Sequence, residues 1–283
     1  MKTRPGFMQH HQKQNAPIKL AHIDPNDTNG FLSKEHAQAS LLQNVEKLAA
    51  LQEKLYASQS HGVLIILQGL DTSGKDSLIK HAFSGINPQG CMVHSFKAPS
   101  AFELGHTYMW RYVHNLPMRG MIKIYNRSYY EEVTTVRIHP EYLEQRGLTE
   151  SKQLWPRRFL EFNQFEEYLS CNNVLVIKVF LHISKDEQLK RLENRINNPD
   201  KHWKFDFSDI RERHYWDNYQ RCYEEALCAT NTAYAPWHIL PSNNKWYARL
   251  KFSELLVSCF ESLNLKYPKT SIDFQAVKRD LLG

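Results

Sequence analysis

The sequence predicts an α/β protein in which helices cover both faces of a five-stranded parallel sheet. Its five strongest apolar runs are apolar on both faces instead of alternating, which is typical of buried parallel strands. Helical patterns separate these runs along the 283 residues, and this alternation favours one three-layer domain. The candidate strands are Val63–Leu67, Met92–Phe96, Met121–Tyr125, Val174–Leu181 and Trp237–Leu240. The candidate helices cover roughly residues 34–56, 76–84, 102–115, 156–169, 184–196, 208–230 and 245–263.

Two polar segments flank this domain, which should cover residues 34–266. Residues 1–33 are polar and contain three prolines, so we expect a loosely ordered N-terminal arm. Few apolar residues follow Tyr267, and this composition predicts a short C-terminal extension over residues 267–283.

Composition limits the classes of function without choosing among them. The net charge of +6, from 36 basic and 30 acidic residues, suits an anionic ligand but is too small to indicate nucleic acid. The five cysteines form no CxxC pair, which favours free thiols in a reducing compartment. Because no apolar leader or membrane-length run is visible, we expect a cytoplasmic protein that does not enter a membrane.

The segment Gly69–Asp76 has the spacing of a phosphate-binding P-loop between the first strand and a helix. Such a loop surrounds a polyanion with backbone N–H groups and a helix N-terminus, and its lysine supplies a positive charge. Lys75 is that lysine. The loop positions that we expect to bind phosphate are Gly69, Thr72, Ser73, Gly74 and Asp76.

Two residues depart from the usual P-loop pattern. Asp71 places a carboxylate inside the loop, and Asp76 replaces the Ser or Thr that normally follows the lysine. A carboxylate would repel phosphate unless a divalent cation lay between them. We therefore predict that Asp71 holds Mg²⁺, which prefers a few carboxylates, retained waters and the phosphates of the substrate.

The segment after the third strand supplies a second group of candidates. Asn126, Arg127 and Glu131 follow Tyr125, and the carboxyl ends of parallel strands meet at one edge of an open sheet. The planar donors of Arg127 can hold a phosphoryl group during transfer. The alternative is that Arg127 and Glu131 form only a surface pair one helical turn apart.

An arginine-rich helical pair after the fourth strand predicts a lid at about residues 184–215. We expect Arg191 and Arg195, four residues apart on one helix, to supply charge to the transition state when the lid closes. A solvated helix face is the alternative, and we favour it for Lys190, Arg211 and Arg213.

Further cations could bind phosphate. Lys97 follows the second strand, and Arg111 lies in the next helical pattern. Lys204 lies within the lid, whereas Lys245, at the start of the last helix, is a weaker candidate.

Taken in order along the chain, seven motifs resemble the signature set of the polyphosphate kinase 2 family. The resemblance covers about residues 35–263 and is far more specific than a P-loop alone. The motifs are Gly69–Asp76, Asn87–Gly90, Ser95–Ser100, Trp110–Arg111, Asn126–Val133, Trp203–Phe205 and Ala235–Trp237.

This resemblance implies a P-loop kinase fold that transfers a terminal phosphate, with Mg²⁺, between inorganic polyphosphate and a nucleotide. Adenine nucleotides are the expected partners, guanine nucleotides stay open, and a homo-oligomer (dimer or tetramer) is expected. The resemblance assigns the catalytic roles to Asp71, Lys75, Arg127 and Arg191, with Arg195 as a second lid arginine. Asn126 followed by Glu131 resembles the branch that phosphorylates nucleoside mono- and diphosphates. Thr107, where relatives often carry an acid, leaves the preferred acceptor open.

Two other functions fit parts of the sequence. An ATP-dependent small-metabolite or nucleoside kinase would share the loop and the lid, but it usually keeps Ser or Thr after the lysine. A nucleic-acid-binding module would need a stronger charge excess and a recognition motif. We expect neither nucleic acid nor a membrane as a partner.

Overall fold

Five parallel strands form one sheet at the centre of the computed structural model, which describes residues 18–31 and 33–282. Their order is β2-β3-β1-β4-β5, and β1 is central, with Val63 opposite Ile122 of β3 and Leu175 of β4. The predicted α/β fold class and all five strands are confirmed. The strands are β1 (Gly62–Gln68), β2 (Cys91–Ser95), β3 (Ile122–Asn126), β4 (Val174–His182) and β5 (Trp237–Pro241).

Helices cover both faces of this sheet. The described residues form α1 (Lys34–Ser58), α2 (Lys75–Ala82), α3 (Ala101–Leu104), α4 (Trp110–Val113), α5 (Thr135–Ile138), α6 (Glu141–Glu144), α7 (Leu154–Cys171), α8 (Lys185–Asn197), α9 (Phe207–His214), α10 (Trp216–Ala229), α11 (Lys245–Ser262) and α12 (Phe274–Leu282). Short 3₁₀ turns occur at Leu20–His22, Pro88–Gly90, Tyr129–Val133 and Pro199–Lys204.

Alternate residues of β1 enter two separate apolar cores. Leu64 and Ile66 pack in the core that includes residues of α7 and α10, whereas Val63 and Ile65 pack in the core that includes residues of α1, α2 and α11. Every residue of β1 is buried. The central strand therefore holds the loop that follows it on a rigid support.

Two predicted helices are each divided in the structure. The pattern over residues 102–115 forms α3 and α4, because α3 ends at Gly105, whose N–H caps the carbonyl of Ala101. The pattern over residues 208–230 breaks at Tyr215, where the backbone angles (φ −89°, ψ 16°) leave the helical range. The short elements between Tyr129 and Glu144 were not predicted.

The second strand is more exposed than the sequence predicted. Met92 and Val93 are 52% and 49% exposed, although the apolar run predicted burial on both faces. The reason is position, because β2 lies at the edge of the sheet and pairs with β3 alone. An apolar sequence run does not say which strand forms the edge.

The predicted N-terminal arm falls partly outside the described residues, which begin at residue 18. Ile18 and Leu20 are buried, and the N–H of Leu20 donates to Glu224 Oε1 (2.8 Å). Asn243 N–H donates to the carbonyl of Pro25 (3.0 Å). Residues 18–31 thus differ from the loosely ordered segment that we predicted, because their apolar side chains pack against the domain.

The C-terminal extension contains α12, none of whose residues is buried. Among the described residues, no helix combines the length and the apolar character needed to cross a bilayer.

Candidate active site

The loop between β1 and α2 requires glycine at two positions. Gly69 has φ +148°, and a Cβ there would lie 2.8 Å from the carbonyl oxygen of Leu181. Gly74 has φ +110° immediately before α2. Both values lie in the region that glycine occupies without steric cost. The backbone between them can therefore form the tight turn that the motif predicts.

Lys75 lies against the inside of this loop. Its Nζ donates to the carbonyl oxygens of Gly69 (2.7 Å) and Leu70 (3.3 Å), and the side chain is buried. Burial and, to a lesser extent, the nearby charge of Arg127 lower the pKa of the Lys75 ammonium to about 8, against the opposing effect of the nearby carboxylates. The lysine is therefore cationic at neutral pH and close to the point at which it loses its proton.

An ion-pair network joins the loop to the segment after β3. The Arg127 guanidinium pairs with Asp71 through Nη2 and with Glu131 through Nη1 (3.2 Å). These carboxylates raise the pKa of Arg127, with Glu131 as the larger cause. Arg127 also has φ +66°, which is uncommon for a residue with a side chain and occurs often at functional sites. The pair with Glu131 that we considered is present, but it is part of this larger network.

Most of the predicted site residues line one cavity of about 730 Å³, which we call the basic cavity. Nine of the predicted binding residues line it beside Asp71, Arg127 and Arg191. They are Thr72, Ser73, Gly74, Lys75, Asp76, Lys97, Asn126, Arg195 and Lys204.

A second cavity of about 410 Å³ adjoins the first, and we call it the aromatic cavity. Asp71, Lys97 and Arg127 line both cavities, so the two meet beside the loop carboxylate. The predicted residues Arg111 and Glu131 line the aromatic cavity and not the basic one. Its other walls include Phe96, Pro99, Tyr112, Val136, Tyr142 and Arg146.

Asp76, the second unusual position of the phosphate motif, is also paired with predicted site residues. Asn126 Nδ2 donates to Asp76 Oδ1 (2.8 Å), and Lys204 Nζ lies 3.9 Å from Asp76 Oδ2. Asp76 therefore connects the start of α2 with the end of β3 and with the lid segment.

Arg191 is placed differently from the lid arginine that we expected. It has five N–H donors, and all five have acceptors: Nε donates to Glu187 (2.7 Å), and the two Nη atoms donate to four backbone carbonyls. These carbonyls belong to Thr72, Ser73, Ser242 and Asn243. The guanidinium is buried and connects α8 to the phosphate loop and to the loop after β5.

The other predicted arginines also contact protein groups. Arg195 Nη1 donates to Asp209 of α9 (2.8 Å), which connects the two helices of the predicted lid. Arg111 Nη2 donates to the carbonyl of Lys97 (2.9 Å), and its guanidinium lies 5.2 Å from the ring centre of Phe96. Arg111 is buried and supports the backbone that presents Lys97.

Several cavity residues were not predicted from the sequence. Lys190 is exposed, in line with the solvated helix face that we favoured, and it also lines the basic cavity. Its neighbours in the cavity wall, Glu187, Arg191 and Asn194, share its helix face at i, i+3, i+4 and i+7 spacing. That spacing is the sequence signal from which the position of Lys190 beside Arg191 could have been predicted. Lys201 and Asp209 line the same cavity, and so does Lys245, the weaker candidate from the sequence.

The residues that could hold a divalent cation are few. Within the described part of the chain, no group of three or more His, Cys, Asp or Glu side chains forms a metal cluster. Asp71 and Asp76 nevertheless place hard oxygen donors on the basic cavity. This small donor set fits Mg²⁺, which keeps several waters and takes further oxygens from substrate phosphates.

Comparison with known proteins agrees with this geometry. The sequence model of the family described as polyphosphate kinase 2 (PPK2) matches residues 31–268. An ADP-polyphosphate phosphotransferase of Rhodopseudomonas palustris is 46% identical over 245 residues, which is 85% of each chain. An AMP/ADP-polyphosphate phosphotransferase of Meiothermus ruber is 41% identical over 253 residues, which is 89% of this chain and 92% of the relative.

A solved structure is similar over nearly the whole fold. Polyphosphate kinase 2 from Arthrobacter aurescens superposes with a TM-score of 0.85 at 38% identity, covering 94% of this chain and 93% of the other. On these grounds the chain belongs to the polyphosphate kinase 2 family.

Proposed function

We propose that this protein transfers a terminal phosphate reversibly between inorganic polyphosphate and a nucleotide, converting ADP to ATP and AMP to ADP. The observation that carries this proposal is the meeting of two cavities of different character at Asp71 and Arg127. A phosphate passing from one ligand to the other must cross such a junction.

The basic cavity suits the polyphosphate. Many cationic side chains line it, from the phosphate loop, the segment after β2, the lid helices and the start of α11. They are Lys75, Lys97, Arg127, Lys190, Arg191, Arg195, Lys201, Lys204 and Lys245. These nine cations outnumber the four carboxylates of the lining, and a cleft with an excess of positive charge attracts a polyanion over distance.

The aromatic cavity suits the acceptor nucleotide. Its walls combine apolar surface from Phe96, Tyr112 and Tyr142 with the cations Lys97 and Arg146. Apolar walls with a few placed polar groups are typical of small-molecule sites. The names of the relatives from R. palustris and M. ruber, which specify ADP and AMP/ADP, support adenine nucleotides as acceptors.

The reaction requires little covalent chemistry from the protein. The attacking group is a phosphate oxygen that is already anionic, so no general base is needed, and positioning and charge stabilisation dominate. Lys75 and the loop N–H groups bind the phosphate that is transferred. Arg127 lies at the junction and stabilises the charge that develops on its oxygens.

Mg²⁺ is the proposed cofactor, and Asp71 is the residue that would hold it. The ion would neutralise part of the phosphate charge. We further propose that the enzyme works in the cytoplasm as a homo-oligomer. The cysteines of the described residues are all free thiols, which suits a reducing compartment.

The test is ATP formation from ADP and polyphosphate, with Mg²⁺ and without added ATP as donor. Lys75→Ala and Asp71→Asn should each lower the rate by at least about a hundredfold, as loss of a transition-state charge contact does. Lys80→Ala is the matched control, because Lys80 is exposed on the same helix and does not line either cavity.

Near wild-type rates in both site variants would refute the proposal. Activity only with ATP as donor would favour the small-metabolite kinase instead. A panel of AMP, ADP, GMP and GDP under the same conditions then measures the acceptor preference.

A further inference from the structure

Helix α9 borders both cavities. Asp209 of this helix lines the basic cavity, whereas Ser208 and Glu212 line the aromatic cavity. Its position therefore affects the shape of the polyphosphate site and of the nucleotide site together. The contacts that hold α9 in place are consequently of functional interest.

One set of contacts attaches α9 to α8. Arg213 Nη1 donates to Gln188 Oε1 (3.0 Å) and to the carbonyl of Lys185 (2.7 Å). Asp209 accepts from Arg195 on the same neighbouring helix. These contacts keep α8 and α9 together but do not connect α9 to the other side of the aromatic cavity.

Glu212 makes the connection to that side. Its Oε2 accepts from Tyr219 OH of α10 (2.7 Å) and lies 3.0 Å from His139 Nε2, just after α5. Since an ionised carboxylate only accepts, Nε2 is the donor of that bond. His139 Nδ1 lies 3.3 Å from Glu141, which is itself exposed.

The same contacts continue to the ion-pair network of the site. Tyr219 OH lies 3.5 Å from Thr135 Oγ1, and Thr135 donates to Glu131 Oε2 (2.7 Å). Arg127 donates to that same carboxylate oxygen. Each hydroxyl has one proton, which goes to a carboxylate, so Tyr219 and Thr135 lie side by side without a hydrogen bond between them. Glu212 of α9 therefore lies across this hydroxyl contact from the carboxylate that orients Arg127.

We propose that Glu212 is a positioning residue that fastens α9 against α5 and α10 and so keeps both cavities aligned with Arg127. Its side-chain hydrogen bonds go to His139 and Tyr219, outside the phosphate loop. The kinetic part of this proposal rests on the proposed function. KM values for both polyphosphate and ADP exist only if the protein transfers phosphate between them.

The structural test is hydrogen–deuterium exchange of the ligand-free protein. Glu212→Ala should speed the exchange of the amides at residues 207–214 by at least about a hundredfold, because two bonds to a charged group are lost. Exchange in the helix that carries Tyr219 should stay close to that of the wild type. Glu141→Gln is the matched control, since it removes the exposed carboxylate of the same histidine and should leave α9 unchanged.

The kinetic test measures KM for ADP and for polyphosphate beside kcat. Glu212→Ala should raise both KM values about tenfold while kcat changes less, since α9 affects how both substrates are held. Glu212→Gln keeps an oxygen that accepts from Tyr219 and should fall between the wild type and Glu212→Ala. Tyr219→Phe should resemble Glu212→Ala.

The outcomes separate this inference from the proposed function. A wild-type protein that forms no ATP from polyphosphate and ADP would refute the proposed function, while the exchange experiment would still show whether Glu212 fastens α9. Exchange and KM values that match those of Glu141→Gln would overturn the inference. Faster exchange with unchanged KM values would overturn it as well, because α9 would then be fastened without a role in substrate binding.

Discussion

Replacing Arg191 by lysine should destabilise the ligand-free protein and weaken polyphosphate binding. The sequence led us to expect that Arg191 stabilises the phosphate during transfer. In the structure its five donors are engaged by Glu187 and four backbone carbonyls, two of them in the phosphate loop. The side chain therefore holds the backbone of the phosphate loop by hydrogen bonds before any ligand binds.

The size of the effect follows from the number of bonds lost. A lysine ammonium has three donors on a single nitrogen, so Arg191→Lys leaves at least two of the five acceptors without their bond. Hydrogen bonds to a charged group contribute about 1.5–3 kcal/mol each, so the loss should be about 3 kcal/mol or more. For a chain of this length that corresponds to a fall in Tm of roughly 6 °C.

The assay combines thermal unfolding without ligand and steady-state kinetics. Arg191→Lys should lower Tm by this amount and raise KM for polyphosphate, because Thr72 and Ser73 are no longer held. Arg157→Lys is the matched control. Arg157 also pairs with a glutamate four residues away in the chain, Glu161 at 3.1 Å, but on an exposed surface, so the Tm of Arg157→Lys should change little.

The opposite pattern would refute this reasoning. An unchanged Tm and an unchanged KM, together with a hundredfold fall in kcat, would show that Arg191 acts on the phosphate during transfer. The role suggested by the sequence would then be correct, and the contacts with the loop would contribute little.

Three further predictions follow from the structure. Because burial lowers the pKa of Lys75 to about 8, the free enzyme loses that charge as the pH rises, so kcat/KM for polyphosphate should be level below pH 8 and fall above it. The phosphate groups of the substrate titrate nearer pH ~6, so they do not cause a fall above pH 8. A fall in kcat/KM that persists in Lys75→Arg would contradict its assignment to Lys75. Gly69→Ala should raise KM for polyphosphate by at least about tenfold through ~1–3 kcal/mol of strain, whereas Gly147→Ala, which also has a positive φ but open space around it, should leave KM unchanged. Lys178→Met should lower the free energy of unfolding in urea by about 3–5 kcal/mol, because it leaves the fully buried Glu166 without its cation (2.6 Å), and Lys178→Met with Glu166→Leu should recover much of that loss. A double variant that is no more stable than Lys178→Met would contradict this reasoning.

Much of the fold could be predicted because it depends on short segments. The apolar run Val63–Leu67 and the glycines of Gly69–Asp76 determine a strand, a turn and a helix start within about a dozen residues. The same local pattern places Asn126 and Arg127 after the third strand. The edge position of β2 and the break at Tyr215 were not predictable, since each depends on which elements pack beside it.

The candidate site was predicted only in part. The predicted residues do gather around two adjoining cavities, but their catalytic roles stay predictions. The surroundings of Arg191 come from carbonyls about 50 and 118 residues away along the chain, and no spacing rule contains them. Residue type indicated the charge of that side chain but not its partners.

The sequence by itself determined the parallel α/β sheet, the phosphate loop with its carboxylate, and the family. These features depend on local periodicity and on motifs whose residues are neighbours in the chain. Only the tertiary structure decided that Arg191 supports the loop, that two cavities meet at Asp71, and that Glu212 connects α9 to His139 and Tyr219. The physical reason is that hydrogen bonds and ion pairs form between atoms within a few ångströms of each other, and folding brings those atoms together from distant parts of the chain.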